Sequence, residues 1–467
     1  LYTFPLTSTG YVRRDAKKAM SEVSYNFVKG QLPDFEIYKM LREAFRGGNT
    51  HANRYYANYT LHNVHSADRS SSYPDVMCNC KFPVSEFYRL GDVPFDEVIK
   101  MLGKRQKACI MRVAITGAHL QRVDWGCPYL SLAKCRHVEN ALLDNGRIIS
   151  ADYLETTITD IDLKILLSEY AWTDIKFYDV ATARYGYLPK PLIKTICQYY
   201  HYKTELKNVD GQELLYMKSK NKLNSLYGMC AQDPVKQSIL FIDNDFREQN
   251  EDEAGLLLAY NRKAFLAYQW GVWVTAWARY RLEEGIRLAH GDPDDPNAPQ
   301  FVYCDTDSVK YLGEINLDKI NRERIKDSRN SGAYATDPAG ITHYMGIYEQ
   351  EHDMYEFRTM GAKKYVYRET PDSKLICTIA GVEKKKVGEE LEAHGGITAF
   401  HEGFTFVEAG GLEAIYNDLP PYISTEYEAE GRACQITANV CLRHSTYTLG
   451  LTADYQRLLT EIRYEYE

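Results

Sequence analysis

The chain has 467 residues, 45% of them hydrophobic, with a formal net charge of −8 and 11 cysteines. That length and apolar content can bury a large core shared among several subdomains. No apolar run is long enough to span a bilayer, and Leu1-Tyr2-Thr3-Phe4-Pro5 lacks the basic and apolar regions of a signal peptide, so neither is expected. The cysteines show no extracellular pattern, and no second pair stands at zinc-finger distance from Cys78 and Cys80; they read as buried or free thiols in a reducing compartment. An acidic sum does not advertise nucleic-acid binding, although it can conceal a basic channel. A first residue other than Met implies a fragment, a processed product or incomplete numbering.

In chain order, the charged stretch Arg13 to Glu22 and the amphipathic stretch Pro33 to Phe45 predict helices, the second broken by Gly47-Gly48. Those glycines permit close backbone approach to a phosphate or a template strand; a plain helix stop is the simpler alternative. Leu61 to Ala67 predicts a strand that delivers Asp68. Residues 80 to 188 alternate short apolar runs with turns. Pro191 to Gly228 predicts two antiparallel helices, with Gly211 at the turn and Glu213 opening the second, which places Tyr216, Lys220, Asn224 and Tyr227 on one face. Val235 to Phe241, the acidic Asp243 to Glu253 and the apolar Gly255 to Tyr260 predict a hairpin with a charged tip. Phe265 to Leu288 predicts a long helix whose Trp270, Trp273 and Trp277 suit core packing. Phe301-Val302 and Val309 to Tyr311 predict strand arms around a tight Asp305-Thr306-Asp307-Ser308 turn. Cations and an aromatic follow on a strand at Met360 to Tyr367, then a lysine run at Gly381 to Lys386, and the remainder reads as short strands with a Tyr-rich tail.

Three stretches carry the chemistry. Asp68-Arg69-Ser70-Ser71-Ser72-Tyr73-Pro74 and Tyr303-Cys304-Asp305-Thr306-Asp307-Ser308 supply carboxylates, and Lys220 to Gly228 supplies a cation, an amide and an aromatic between them. Two divalent metals need carboxylate bridges and a triphosphate needs a positive clamp, so the trio is a kit for two-metal nucleotidyl transfer. The same stretches resemble the three polymerase motifs of family B DNA polymerases, and Phe45-Arg46-Gly47-Gly48, Gly271 to Tyr280 and Lys363-Lys364-Tyr365 resemble elements of its protein-primed phage members. The likeness runs from about Gly47 to about Val387. Phe45 replaces the usual Tyr, and Ser72 the usual Leu.

The resemblance implies an α+β right-hand fold with an antiparallel palm sheet, helical fingers and a small thumb. It implies palm at 1–79 and 263–375, fingers at 189–229 and thumb at 376–467. Segments 80–188 and 230–262 would correspond to the first and second terminal-protein regions. It implies DNA-directed DNA synthesis, a nucleotidyl transferase adding dNMP to a primer 3′-hydroxyl, with catalytic Asp68, Asp305 and Asp307. Two Mg2+ ions, replaceable by Mn2+, would sit on Asp68, the Arg69 carbonyl and Asp307, an oxygen set that suits magnesium. Tyr73, Lys203, Lys207, Lys220, Asn224 and Tyr227 would hold the nucleotide, Tyr73 excluding a 2′-hydroxyl. Gly47, Gly48, Gly228, Lys363 and Tyr365 would contact DNA. Expected partners are primer-template DNA and dNTPs, with a terminal-protein primer or a separate exonuclease subunit besides, and no membrane; the location would be intracellular, in host cytoplasm for a phage protein. Asp34-Phe35-Glu36 and Tyr170-Ala171-Trp172-Thr173-Asp174 mimic exonuclease signatures, but spacing and order exclude both, so no proofreading domain is expected. A non-catalytic DNA-binding subunit and a de novo priming polymerase are the alternatives. Absence of product without a primer would argue against the second.

Overall fold

The apolar spacing that predicts a long helix after Phe265 produces the spine of the molecule, the helix Tyr268–His290. Trp270 and Trp273 are fully buried, as core packing requires, while Trp277 lies near the edge and donates from its indole to the Lys81 carbonyl at 2.9 Å. The computed structural model describes residues 5, 7–105, 107–236, 239–242, 245–248, 252–292, 294–407, 409, 412–416, 424–429, 432–437 and 440–466. These form two units: residues 1–50 with 66–351, and residues 51–65 with 352–467.

In the first unit the spine helix packs into a core with the helices Phe35–Ala44, Ser72–Asn79, Lys190–Glu205 and Glu213–Cys230. Asp34 caps the first of these, its carboxylate accepting from the Ile37 N–H at 2.9 Å and pairing with Arg89, which gives the exonuclease look-alike an ordinary structural role. Residues 82–186 form an antiparallel sheet in the order Phe82–Pro83, Asp174–Gly186, Lys107–Leu120, Arg147–Thr159 and Cys135–Glu139, with three short strands alongside. A second core lies between this sheet and the strands Gln300–Asp305 and Ser308–Leu312. The end of the strand Thr60–Arg69 joins that hairpin and pairs antiparallel with Tyr348–Gln350, setting Asp68 opposite Glu349.

Two predicted elements differ. The hairpin after Val235 is confined to Ile239–Ile242 and Asp245–Glu248, and Gly255 to Tyr260 belongs to the helix Glu253–Lys263; positions 243–244 and 249–251 of the acidic tip lie outside the described residues. Asp252 caps that helix by accepting from the Ala254 N–H at 3.1 Å. A short leucine run cannot by itself distinguish strand from helix, and here the cap decides.

In the second unit, residues 60–65, Met354–Gly361, Lys364–Arg368 and Ile376–Ile379 pair antiparallel, and the helix Lys384–Ala393 joins a core with Met360, Val366, Cys377, Leu391 and Phe400. The Tyr-rich tail forms a helix, Ala453–Tyr466, which buries Tyr455, Leu458 and Leu459 at helical spacing. Among the described residues no helix is long and apolar enough to cross a membrane.

Candidate active site

Asp305 pairs with Ser308, so Thr306 and Asp307 form a two-residue turn. Thr306 takes φ +61°, a left-handed conformation costly for a β-branched residue. Surrounding bonds hold it there. Its N–H donates to the Asn49 carbonyl at 2.7 Å, its hydroxyl donates to Asp305 Oδ1 at 3.0 Å, and the Thr50 hydroxyl donates to the same oxygen at 2.9 Å. A Cβ on Gly48 would stand 2.7 Å from Thr306 Oγ1 and Cγ2, so Gly48 is needed for the chain to lie against the Asp305–Ser308 turn. A Cβ on Gly47 would meet nothing within 4 Å. The Phe45–Gly48 segment is itself held by Arg279, which donates to the carbonyls of Arg46 at 2.6 Å and Gly47 at 2.9 Å while paired with Asp162 at 2.7 Å.

The turn meets the strand that carries Asp68. The Arg69 N–H donates to the Asp307 carbonyl at 3.0 Å, which fixes the first and third acidic stretches side by side. Burial, then the charges of Asp307, Glu351 and Glu349, push the Asp68 carboxyl up to about 8, against the opposing charge of Lys310. Lys310 is itself buried; its ammonium lies 3.5 Å from Ser66 Oγ, and the Ser66 hydroxyl donates to Glu351 at 3.0 Å. An all-oxygen site with this excess of negative charge is the environment a hard divalent cation relieves. Among the described residues, no group of three or more His, Cys, Asp or Glu side chains is placed to hold a metal.

Beside the carboxylates, the rings of Tyr73 and Tyr227 stack 4.2 Å apart at 20°. Burial, then Asp307, raises the Tyr73 hydroxyl, and burial raises that of Tyr227, so both stay neutral. Lys203 reaches Ser71 Oγ at 3.2 Å; burial and the neighbouring charges of Lys220 and Lys207 lower its affinity for a proton. The three lysines thus concentrate positive charge around Lys203, beside Ser71. Asn224 and Gly228 are exposed on the helix that carries Lys220 and Tyr227. Lys363 and Tyr365 lie in the second unit. There Lys363 takes φ +60° in the turn between two strands, and Tyr365 packs on Phe357 at 5.6 Å. Reading the motifs missed Arg279, Asn49, Lys310, Glu349 and Glu351, whose relation to the site exists only through chain pairing.

A family model described as DNA polymerase type B, organellar and viral, matches residues 15–263. The DNA polymerase of Bacillus phage Nf is 24% identical over 327 residues, covering 66% of this chain and 49% of the relative. The chain thus spans about half the length of that curated relative. Its fold is similar to phi29 DNA polymerase complexed with primer-template DNA (TM-score 0.66, 18% identity), covering 96% of this chain and 68% of that one. It is also similar to the same enzyme complexed with primer-template DNA and incoming nucleotide substrates (TM-score 0.62, 18% identity), covering 95% and 68%.

Proposed function

The chain belongs to the organellar and viral type B DNA polymerases, and from that premise we propose that it is a DNA-directed DNA polymerase extending a primer 3′-hydroxyl with dNMP. The observation that carries the reading is the meeting of Asp68 and Asp307 through the Arg69–Asp307 backbone bond, in surroundings that penalise the Asp68 charge. Asp68, Asp307 and the Arg69 carbonyl would hold two Mg2+ ions, for which Mn2+ can substitute. When bound, such ions supply charge neutralisation at the phosphates and ease deprotonation of the primer hydroxyl. Asp305, engaged by Thr50 and Thr306, acts by holding the turn.

The lysine group, with Lys203 and Lys220 foremost and Lys207 behind, binds the triphosphate and orients it for in-line attack. Tyr73 blocks a 2′-hydroxyl and Tyr227 packs on the nascent base pair. Asn224 and Gly228 lie along the nucleotide and template path, Gly47 and Gly48 along the template, and Lys363 and Tyr365 hold the primer. The reading assigns 1–79 and 263–375 to a palm, 189–229 to fingers, 376–467 to a thumb, and 80–188 and 230–262 to the two terminal-protein-type regions. Primer-template DNA and dNTPs are its partners, by analogy with the complexes of phi29 polymerase. A terminal-protein primer or a separate exonuclease subunit would join them, in the host cytoplasm of a phage.

Asp307→Asn provides the test. Extension of a labelled primer should be lost while primer-template binding by gel shift stays near the parent's; full extension by the variant would refute the assignment.

A further inference from the structure

Behind the catalytic strand the chain buries a charge cluster that none of the motif roles uses. Arg69 is 1% exposed, and its guanidinium donates to Ser72 Oγ at 2.9 Å and to Asp75 Oδ2 at 2.7 Å. Asp75 is wholly buried; it also pairs with Arg281 from the spine helix and accepts from the Asn79 amide at 2.8 Å. Although burial works against ionisation, the charges of Arg281 and then Arg69 hold the Asp75 carboxyl below the usual carboxylate range. Gly346, at φ +81°, makes the room, since a Cβ there would overlap the carboxylate, and its N–H donates to the Ser70 carbonyl at 2.6 Å. One carboxylate thus ties together the strand end, the helix Ser72–Asn79 and the spine.

Buried ion clusters are poor sources of stability, because apolar packing of the same volume does as well or better. Ser72 stands where the family motif has leucine, so an apolar arrangement at this position is available and has been replaced by a polar one. What the cluster gains is a fixed arrangement. The two residues that receive the Arg69 guanidinium, Ser72 and Asp75, flank Tyr73 in sequence on one helical turn, while the Arg69 backbone is bonded to Asp307. The segment that carries the aromatic ring and the catalytic turn are thereby both referred to a single residue, Arg69.

We propose that Asp75 is a positioning residue which, through Arg69 and Arg281, sets the placement of Tyr73 and so determines how strictly ribonucleotides are excluded. The proposal rests on Tyr73 being the sugar-excluding ring.

The experiment measures single-nucleotide incorporation and compares kcat/KM for a dNTP with that for the matching rNTP in Asp75→Asn, Arg281→Lys and Tyr73→Val. The ratio is independent of how much enzyme is folded, so lost stability alone does not move it. Asp75→Asn and Arg281→Lys should each lower the ratio by about tenfold, toward the floor set by Tyr73→Val. A Tyr73→Val enzyme with the parent ratio would overturn the sugar-exclusion reading itself. Loss of discrimination in Tyr73→Val with parent ratios in the other two would overturn the positioning role alone. Should Asp75→Asn not fold, the milder Arg281→Lys decides.

Discussion

Replacing Arg279 with methionine tests how the approach to the Asp305–Ser308 turn is built. The guanidinium is buried and donates to Asp162 at 2.7 Å, to the Tyr129 hydroxyl at 3.1 Å and to the carbonyls of Arg46 and Gly47. Methionine replaces the aliphatic stem of the side chain and makes none of its bonds. The loss removes the paired cation from a wholly buried carboxylate, and breaking one side of such a pair costs about 3–5 kcal/mol. Although burial pushes the other way, the charges of Arg279 and then Arg46 hold Asp162 down to about 2. A depressed carboxyl contributes stability that is complete above its unfolded value, near pH 4, and is lost as the pH falls toward 2. In the variant burial is met by Arg46 and by hydrogen bonds from Tyr129 and Thr159 without the Arg279 charge, so Asp162 takes up a proton at milder acidity and then needs no cation. Urea unfolding should therefore show a gap of about 3–5 kcal/mol at pH 7 that narrows by pH 4. A gap below about 1 kcal/mol at neutral pH, or one that does not narrow on acidification, would refute the reasoning.

Gly48→Ala should lower kcat for primer extension by about tenfold to a hundredfold, the effect expected when a reacting group is displaced by about 1 Å, with little change in the urea midpoint. Adding Thr306→Ala should recover part of the loss, and an unchanged kcat in the single variant would show that the turn does not depend on that contact. Lys203→Gln should raise the KM for dNTP by about tenfold or more, the range for a hydrogen bond to a charged group, while kcat falls less; steady-state kinetics at fixed primer-template would expose the reverse pattern.

Much of the site was legible because its parts are local. The turn needs Asp305 and Asp307 two residues apart, and the face of the second helix needs only a 3.6-residue period to align Lys220 with Tyr227. Pairings across the chain left no local mark. Nothing in the sequence near Arg279 announces Asp162, 117 positions away, and Asp75 reads as an ordinary first-turn acid until Gly346 and Arg281 close around it. Glu349 and Glu351 become neighbours of Asp68 only through strand register. The C-terminal helix goes unassigned within the Tyr-rich tail, although Tyr455, Leu458 and Leu459 keep helical spacing. At Ser72, where the motif has leucine, the hydroxyl accepts from the Arg69 guanidinium, a partner that the departure alone does not announce.

Segment 80–188 looks, along the chain, like a cassette dropped between two motifs. Asp162 belongs to that segment, and its carboxylate anchors the arginine that holds the Phe45–Gly48 backbone against the Asp305–Ser308 turn. The Arg46 guanidinium reaches the same segment, donating to the Thr157 carbonyl at 2.8 Å and the Thr156 hydroxyl at 2.7 Å. The segment is therefore not a detachable accessory. A chimera that exchanges it with a relative's must carry compatible partners for Arg46 and Arg279, and a lineage that altered it would be constrained to change these residues together. For engineering and for descent alike, the transplantable piece is the insertion together with its two arginines.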